Sequence, residues 1–211
     1  MDREQLMRTR VVVIGGGWSD EREISLSSAT ECRRALTEAG FETVDLLDLA
    51  AHDFVAQLMG GGYDVAFVAL HGRYGEDGSI QGLLDILHIP YTFSGVSASS
   101  AAAEKQIAKA IFKEVGIPVP EGVDVPAGTV LSEACVDSLV ERLGLPLFVK
   151  PAANGSSFGI MRVTERGQLA TAIENAGAEG GRVLIESCVE GTEITVPVIG
   201  NDDAHALPID E

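Results

Sequence analysis

Lysine is scarce in this 211-residue chain: only Lys105, Lys109, Lys113 and Lys150 occur. Acids outnumber bases, and the formal net charge is −17. A nucleic-acid binder needs a basic footprint, so that class is excluded. The acid excess reads as a solvated surface that aids solubility. Scarce lysine beside it fits either a salt-rich cytoplasm or a GC-rich coding bias. The three cysteines, Cys32, Cys135 and Cys188, are odd in number and far apart. That is neither a disulfide framework nor a metal-binding spacing. Reduced thiols in a cytoplasmic protein are the simplest account. Aromatics make up only 5% of residues, but apolar residues reach 45%, so a sizeable core can form. No apolar run is long enough to span a bilayer. The leader Met1 to Arg10 is mixed in charge and lacks an apolar stretch, unlike a signal peptide.

What is present is an alternation of strands and helices. Val11 to Ile14 is a continuous β-branched run, as in a buried parallel strand. Ser25 or Ser27 can cap the helix that follows, and Gly40 ends it. Phe41 to Leu47 reads as a second strand and Val65 to Leu70 as a third. Helices are expected near Phe54 to Met59 and over Ser79 to His88. Such alternation implies parallel βαβ units and a doubly wound α/β first domain. Ala98 to Val115 reads as one long helix closed by Gly116 and Pro118. The pattern changes from about Val119. Helices are expected over Ser132 to Leu143 and Glu165 to Ala176. Strands are expected over Leu147 to Lys150, Ile160 to Val163 and Val183 to Glu186. This is a small α+β module. Gly191 to Ile199 alternates again and begins a third unit.

Three segments carry chemistry. Leu147 to Lys150 is an apolar run ending in a cation. Pro151 follows, then a small, glycine-punctuated stretch, Ala152-Ala153-Asn154-Gly155-Ser156-Ser157-Phe158-Gly159. Glycine lets backbone amides crowd a ligand, and a lysine at the mouth of such a loop supplies a point charge to phosphate. The same segment also fits a strand ending in a solvated lysine. The second segment, Gly15-Gly16-Gly17-Trp18-Ser19-Asp20-Glu21, invites a dinucleotide reading. That fingerprint needs glycine at the sixth place, where Asp20 stands, so the match fails, although Asp45 and Asp48 could imitate a ribose-binding acid. Glu21 sits past the carboxyl end of a parallel strand and could pair with a substrate ammonium. It could equally satisfy a helix dipole. The third segment is His71-Gly72-Arg73-Tyr74-Gly75-Glu76-Asp77-Gly78-Ser79-Ile80-Gln81-Gly82. A lone histidine is commonly structural, but a strand's carboxyl end favours a site role for His71. Glu76 and Asp77 are expected to cap and position the next helix.

Together these segments resemble D-alanine–D-alanine ligases of the ATP-grasp superfamily, in motif, order and spacing, over roughly Val11 to Glu211. The resemblance implies a pre-ATP-grasp, Rossmann-like parallel-sheet domain at residues 1–96. An α+β ATP-grasp lid subdomain would follow at 97–190, and the start of a second ATP-grasp subdomain at 191–211. It implies ATP and D-alanine as ligands, with ligation through an acyl-phosphate for peptidoglycan precursors. Glu21 would hold the amino group of the first D-alanine, and His71 would lie beside the reacting carboxylate. Ser156 would hydrogen-bond toward Glu21. Lys105 and Lys150 would bind phosphates, beneath a lid containing Gly155 and Ser157. Lys105 also fits an ordinary exposed helix lysine, and the family's Asp-Lys is here Glu104-Lys105. Glu186, with backbone groups from Ser187 to Val189, would surround adenine, and Glu193 would hold the ribose. These last residues alone would fit a plain strand–turn–strand with surface acids.

Mg²⁺ or Mn²⁺ is expected for the complete enzyme. The family's metal ligands lie near its C-terminus, beyond Glu211's matching position, with the oxyanion-stabilising arginine and a Lys-Tyr substrate loop. No metal ligand is therefore assigned here, and the chain reads as truncated, without ligase activity alone. The resemblance further implies a cytoplasmic homodimer joined through the N-terminal domain, with no nucleic-acid or membrane partner. Two alternatives stay open: a related ligase using D-lactate or D-serine as second substrate, and a non-catalytic ligand-binding remnant.

Overall fold

Strand and helix signals resolve into two sheets in a computed structural model, which describes residues 2–152, 159–178 and 181–209. The chain begins α1 (Arg3–Met7), β1 (Arg10–Gly15), α2 (Arg22–Ala39), β2 (Thr43–Asp48), α3 (Phe54–Gly60), β3 (Val65–Val68), α4 (Ser79–Ile86) and β4 (Tyr91–Thr92). Next come α5 (Val96–Ala103), α6 (Lys105–Glu114), β5 (Gly122–Pro126), α7 (Glu133–Leu143), β6 (Leu147–Pro151) and β7 (Met161–Val163). A 3-10 turn at Arg166–Gln168 leads into α8 (Leu169–Ala176), β8 (Arg182–Ser187), β9 (Val198–Ile199) and β10 (His205–Ala206).

The first sheet is parallel throughout, in the order β2-β1-β3-β4. Its central strand β1 is buried from Val11 to Gly15, as a strand covered on both faces must be. Val12 and Ile14 pack with Leu47, Phe54, Leu58, Val68, Ile80 and Leu84 on one side. Val13 meets Ala29 of α2 on the other. Each fully buried aliphatic side chain contributes about 1.5–3 kcal/mol relative to exposure. Because parallel strands share a direction, all their carboxyl ends open on one edge, where the glycine turn and His71 stand.

The second sheet is antiparallel, in the order β5-β8-β6-β7. Strand alternation splits it into two faces. Leu147, Val149, Val183 and Ile185 join Leu169 and Ile173 of α8 in one core. Phe148, Lys150, Leu184 and Glu186 occupy the alternate positions.

Several boundaries differ from the sequence reading. Helix α2 starts at Arg22, with Glu21 rather than Ser25 or Ser27 at its N-cap. Ser25 is instead buried, and its hydroxyl donates to the Ala69 carbonyl at 2.9 Å. The expected long helix is two, because Glu104 adopts an extended conformation between α5 and α6. Strand β5 was not expected. Of the alternating stretch Gly191 to Ile199, only Val198–Ile199 forms a strand, in an exposed two-stranded hairpin with His205–Ala206, and Thr195 makes an isolated bridge.

Candidate functional site

Two of the chain's four lysines pair with one carboxylate, and a third lies within its field. Antiparallel register sets Phe148 opposite Glu186 and Lys150 opposite Leu184. Lys150 and Glu186 are thus diagonal neighbours on one face, within reach of long side chains. The Lys150 ammonium donates to Glu186 Oε2 at 2.6 Å. The Lys109 ammonium donates to the other oxygen, Oε1. Glu186 is buried, and a buried carboxylate is tolerable only when paired. Burial alone would raise its pKa, but the bonds from Lys109 and then Lys150 win and hold it below the usual range. Close packing seals the far side: a Cβ on Gly122 would lie 2.9 Å from the Glu186 Cγ.

Lys105 enters the same cluster because of the helix break. Its backbone N–H donates to the Ala152 carbonyl, just past β6, at 3.3 Å. That bond puts the first residue of α6 beside the end of the Lys150 strand. Burial and then the Lys150 charge lower the Lys105 pKa, against the pull of Glu186 and Glu104.

The second cluster gathers at the carboxyl edge of the parallel sheet. Gly16 and Gly17 have φ of +74° and +87°, values open to glycine at little cost. Asp48, at the end of β2, accepts from the N–H groups of Gly17 (3.1 Å) and Ala50 (2.9 Å). Arg22 grips the same carboxylate at 2.5 Å and donates to the Gly17 carbonyl at 2.8 Å. This Arg22 bond, with help from the amides and against burial, lowers the Asp48 pKa to about 2. Asp48 is therefore a structural clamp on the glycine turn, not a ribose acid.

Past that turn, Glu21 is the N-cap residue of α2, yet its side chain makes no capping bond. Its carboxylate faces the His71 loop, where a Cβ on Gly72 would stand 2.6 Å from Glu21 Oε2. Ser19 Oγ donates to the His71 carbonyl at 2.8 Å and ties the two loops. The His71 ring has a polar neighbour at each nitrogen: Nε2 lies 3.1 Å from Ser28 Oγ, within hydrogen-bond reach, and Nδ1 lies 3.7 Å from Glu76 Oε1. Glu76 thus faces the histidine instead of capping a helix. Asp77 does anchor the turn before α4, accepting from the N–H groups of Tyr74 and Ser79. Trp18 and Tyr74 stack edge to face across the two loops, 5.8 Å apart, with Arg73 over the tyrosine ring.

The expected residues therefore fall into groups. Lys105, Lys150 and Glu186 come together. Glu21 and His71 share a loop junction. Ser187 continues β8, its N–H donating to the Glu121 carbonyl at 2.9 Å. Val189 and Glu193 are exposed beyond it. Gly155, Ser156 and Ser157 lie outside the described residues. Sequence reasoning missed Lys109, Ser19 and Ser28. Lys109 was findable, since i and i+4 on a helix share a face with Lys105. Nothing local marks the two serines. Among the described residues, no three His, Cys, Asp or Glu side chains gather as a metal site requires.

A parallel α/β sheet with a carboxylate and a histidine on its edge, followed by an antiparallel sheet facing lysines, is the ATP-grasp ligase architecture. Solved structures agree. The D-alanine–D-alanine ligase of Bacillus anthracis superposes with a TM-score of 0.81 at 33% identity, over 95% of this chain and 63% of that one. The same enzyme complexed with ATP gives 0.79 at 31% identity, over 95% and 65%. Family models described as D-ala D-ala ligase N-terminus and C-terminus match residues 49–94 and 111–211. The chain belongs to the D-alanine–D-alanine ligase family. It is 44% identical to the D-alanine–D-alanine ligase of Polaromonas naphthalenivorans, over 95% of this chain and 61% of that protein. With the Desulforamulus reducens ligase it shares 45% identity, over 97% of this chain and 66% of that protein. The chain thus spans less than two thirds of these relatives' length.

Proposed function

We propose that the full-length protein joins two D-alanines into D-alanyl-D-alanine for peptidoglycan precursors. In this reaction ATP phosphorylates the carboxylate of one D-alanine. The amine of the second then attacks the acyl-phosphate carbon, and inorganic phosphate leaves as the peptide bond forms. Residues 1–96 would carry the amino-acid end of the site and 97–190 the nucleotide lid.

The convergence of Lys105, Lys109 and Lys150 on Glu186 carries this reading. An acidic chain with four lysines gathers three of them in one half-buried place. Two ammonium groups against one carboxylate leave excess positive charge, which suits the phosphates of a nucleotide. Glu21, uncommitted to its helix, suits the ammonium of the first D-alanine, and His71, braced by Ser28 and Glu76, its carboxylate. Ser156 would link Glu21 to the glycine loop, with Gly155 and Ser157 over the phosphates. Ser187 and Val189 would border adenine, and Glu193 the ribose. Catalysis would rest on positioning and on cations placed where phosphoryl charge develops. In the complete enzyme Mg²⁺ or Mn²⁺ would add charge neutralisation at the phosphates. A cytoplasmic homodimer joined through the N-terminal domain completes the proposal. No described helix is long and apolar enough to cross a membrane.

Lys150→Ala tests the reading in the full-length gene product. Charged hydrogen bonds contribute about 1.5–3 kcal/mol, so ATP KM should rise roughly tenfold or more, with kcat lowered as well. ATP kinetics equal to wild type would refute the assignment.

A further inference from the structure

Lys109 is the more enclosed of the two lysines that ion-pair with Glu186. Its side chain is 13% exposed, against 24% for Lys150 and 4% for Glu186. We propose that Lys109 is a positioning residue of the nucleotide site: it neutralises the buried Glu186 carboxylate so that the charge of Lys150 stays available to the phosphates of a nucleoside di- or triphosphate. This rests on the nucleotide reading of the cluster.

Glu186 has two oxygens, and each accepts from one lysine. The two lysines are not equivalent. Lys109 comes from α6 and fills the enclosed side. Lys150 comes from the end of β6 and is the more open of the two. A phosphate approaching Lys150 meets a competitor already in place, the Glu186 carboxylate at 2.6 Å. It also meets the repulsion of that carboxylate at short range and in a medium of low polarity. Lys109 weakens both effects. It takes one oxygen of Glu186 and cancels its charge, so Lys150 can turn to a second anion without leaving a buried carboxylate unpaired. Without Lys109, the Glu186 oxygen that it holds would lose that partner and lean on Lys150. Surrendering it to phosphate would then strand a buried charge, which is costly.

The inference separates phosphate recognition from base recognition. In the full-length protein, ADP and adenosine binding are measured by calorimetry for wild type, Lys109→Met and Lys109→Arg, and again in a Glu186→Gln background. Lys109→Met should weaken ADP roughly tenfold, about 1.4 kcal/mol, and adenosine distinctly less. Lys109→Arg should retain most of the ADP affinity. In the Glu186→Gln background, Lys109→Met should cost ADP little, since no carboxylate remains to be neutralised. Equal losses for ADP and adenosine, or the same ADP loss with Glu186 already removed, would overturn the proposal in favour of a packing role. ADP affinity undiminished in Lys109→Met would overturn it too. Should the single variant fail to fold, the Glu186→Gln pair decides by the same criterion. Wild type that binds neither ligand would instead defeat the nucleotide reading itself.

Discussion

Glu21 stands at the start of α2 without using its carboxylate to cap that helix. Glu21→Gln keeps the shape and removes the charge. If the carboxylate meets the ammonium of the first D-alanine, KM for that substrate should rise by an order of magnitude or so, with ATP binding intact. Equal effects on both ligands, or only a lower Tm, would return Glu21 to a helix-terminal role. Asp48 answers to pH in a different way. Its carboxyl titrates near 3.9 when unfolded and at about 2 when folded. A depressed carboxylate pKa favours the folded state above the unfolded value, so the Arg22–Asp48 clamp contributes fully above about pH 5. The contribution fades as pH falls toward 2. Asp48→Asn should therefore lower stability at pH 7, by on the order of 1–2 kcal/mol after solvent screening. It should also flatten the loss of Tm between pH 5 and 2. A variant whose acid sensitivity matched wild type would show that the clamp is not the titrating element.

Turns and helix ends fix where these side chains stand. Gly16 is the tightest point of the first loop: a Cβ there would fall 2.2 Å from Asp48 Oδ1, at a φ of +74°. Gly16→Ala should cost about 1–3 kcal/mol through backbone strain and displacement of the clamp, measured as a lower midpoint in chemical denaturation. A midpoint unmoved by the change would mean that the turn relaxes freely. The same elements show what a sequence can reveal. Val11 to Ile14 reads as a buried parallel strand because no polar residue interrupts it, and Lys150 is visible because an apolar run ends on it. The α5–α6 break is hidden, since Ala101 to Gln106 holds good helix formers with no glycine or proline. A tertiary bond from the Lys105 N–H to Ala152 overrides that propensity. Strand β5 is short and bounded by proline, so its pairing with β8 decides what its own residues do not. Ser28 meets His71 across 43 positions of sequence, a distance at which no local pattern can speak. Glu186 is singled out by the sequence pattern, but its two lysine partners depend on strand register and helix placement together.

At the scale of the whole molecule, two sheets place two kinds of chemistry. The parallel sheet presents Glu21 and His71 from loops at its carboxyl edge, where α/β folds bind ligands. The antiparallel sheet turns alternate residues, Lys150 and Glu186 among them, toward α6. Each sheet closes its own hydrophobic cluster, and the polar side chains at the strand ends stand outside both. The central claim is that these two chemistries serve one reaction, in which nucleotide cleavage is coupled to joining amino acids. The most direct test supplies the full-length gene product with ATP and D-alanine, and follows phosphate release and dipeptide together. The account predicts one phosphate for each D-alanyl-D-alanine formed, with little phosphate released when D-alanine is withheld. Phosphate release indifferent to D-alanine, or release without dipeptide, would contradict it.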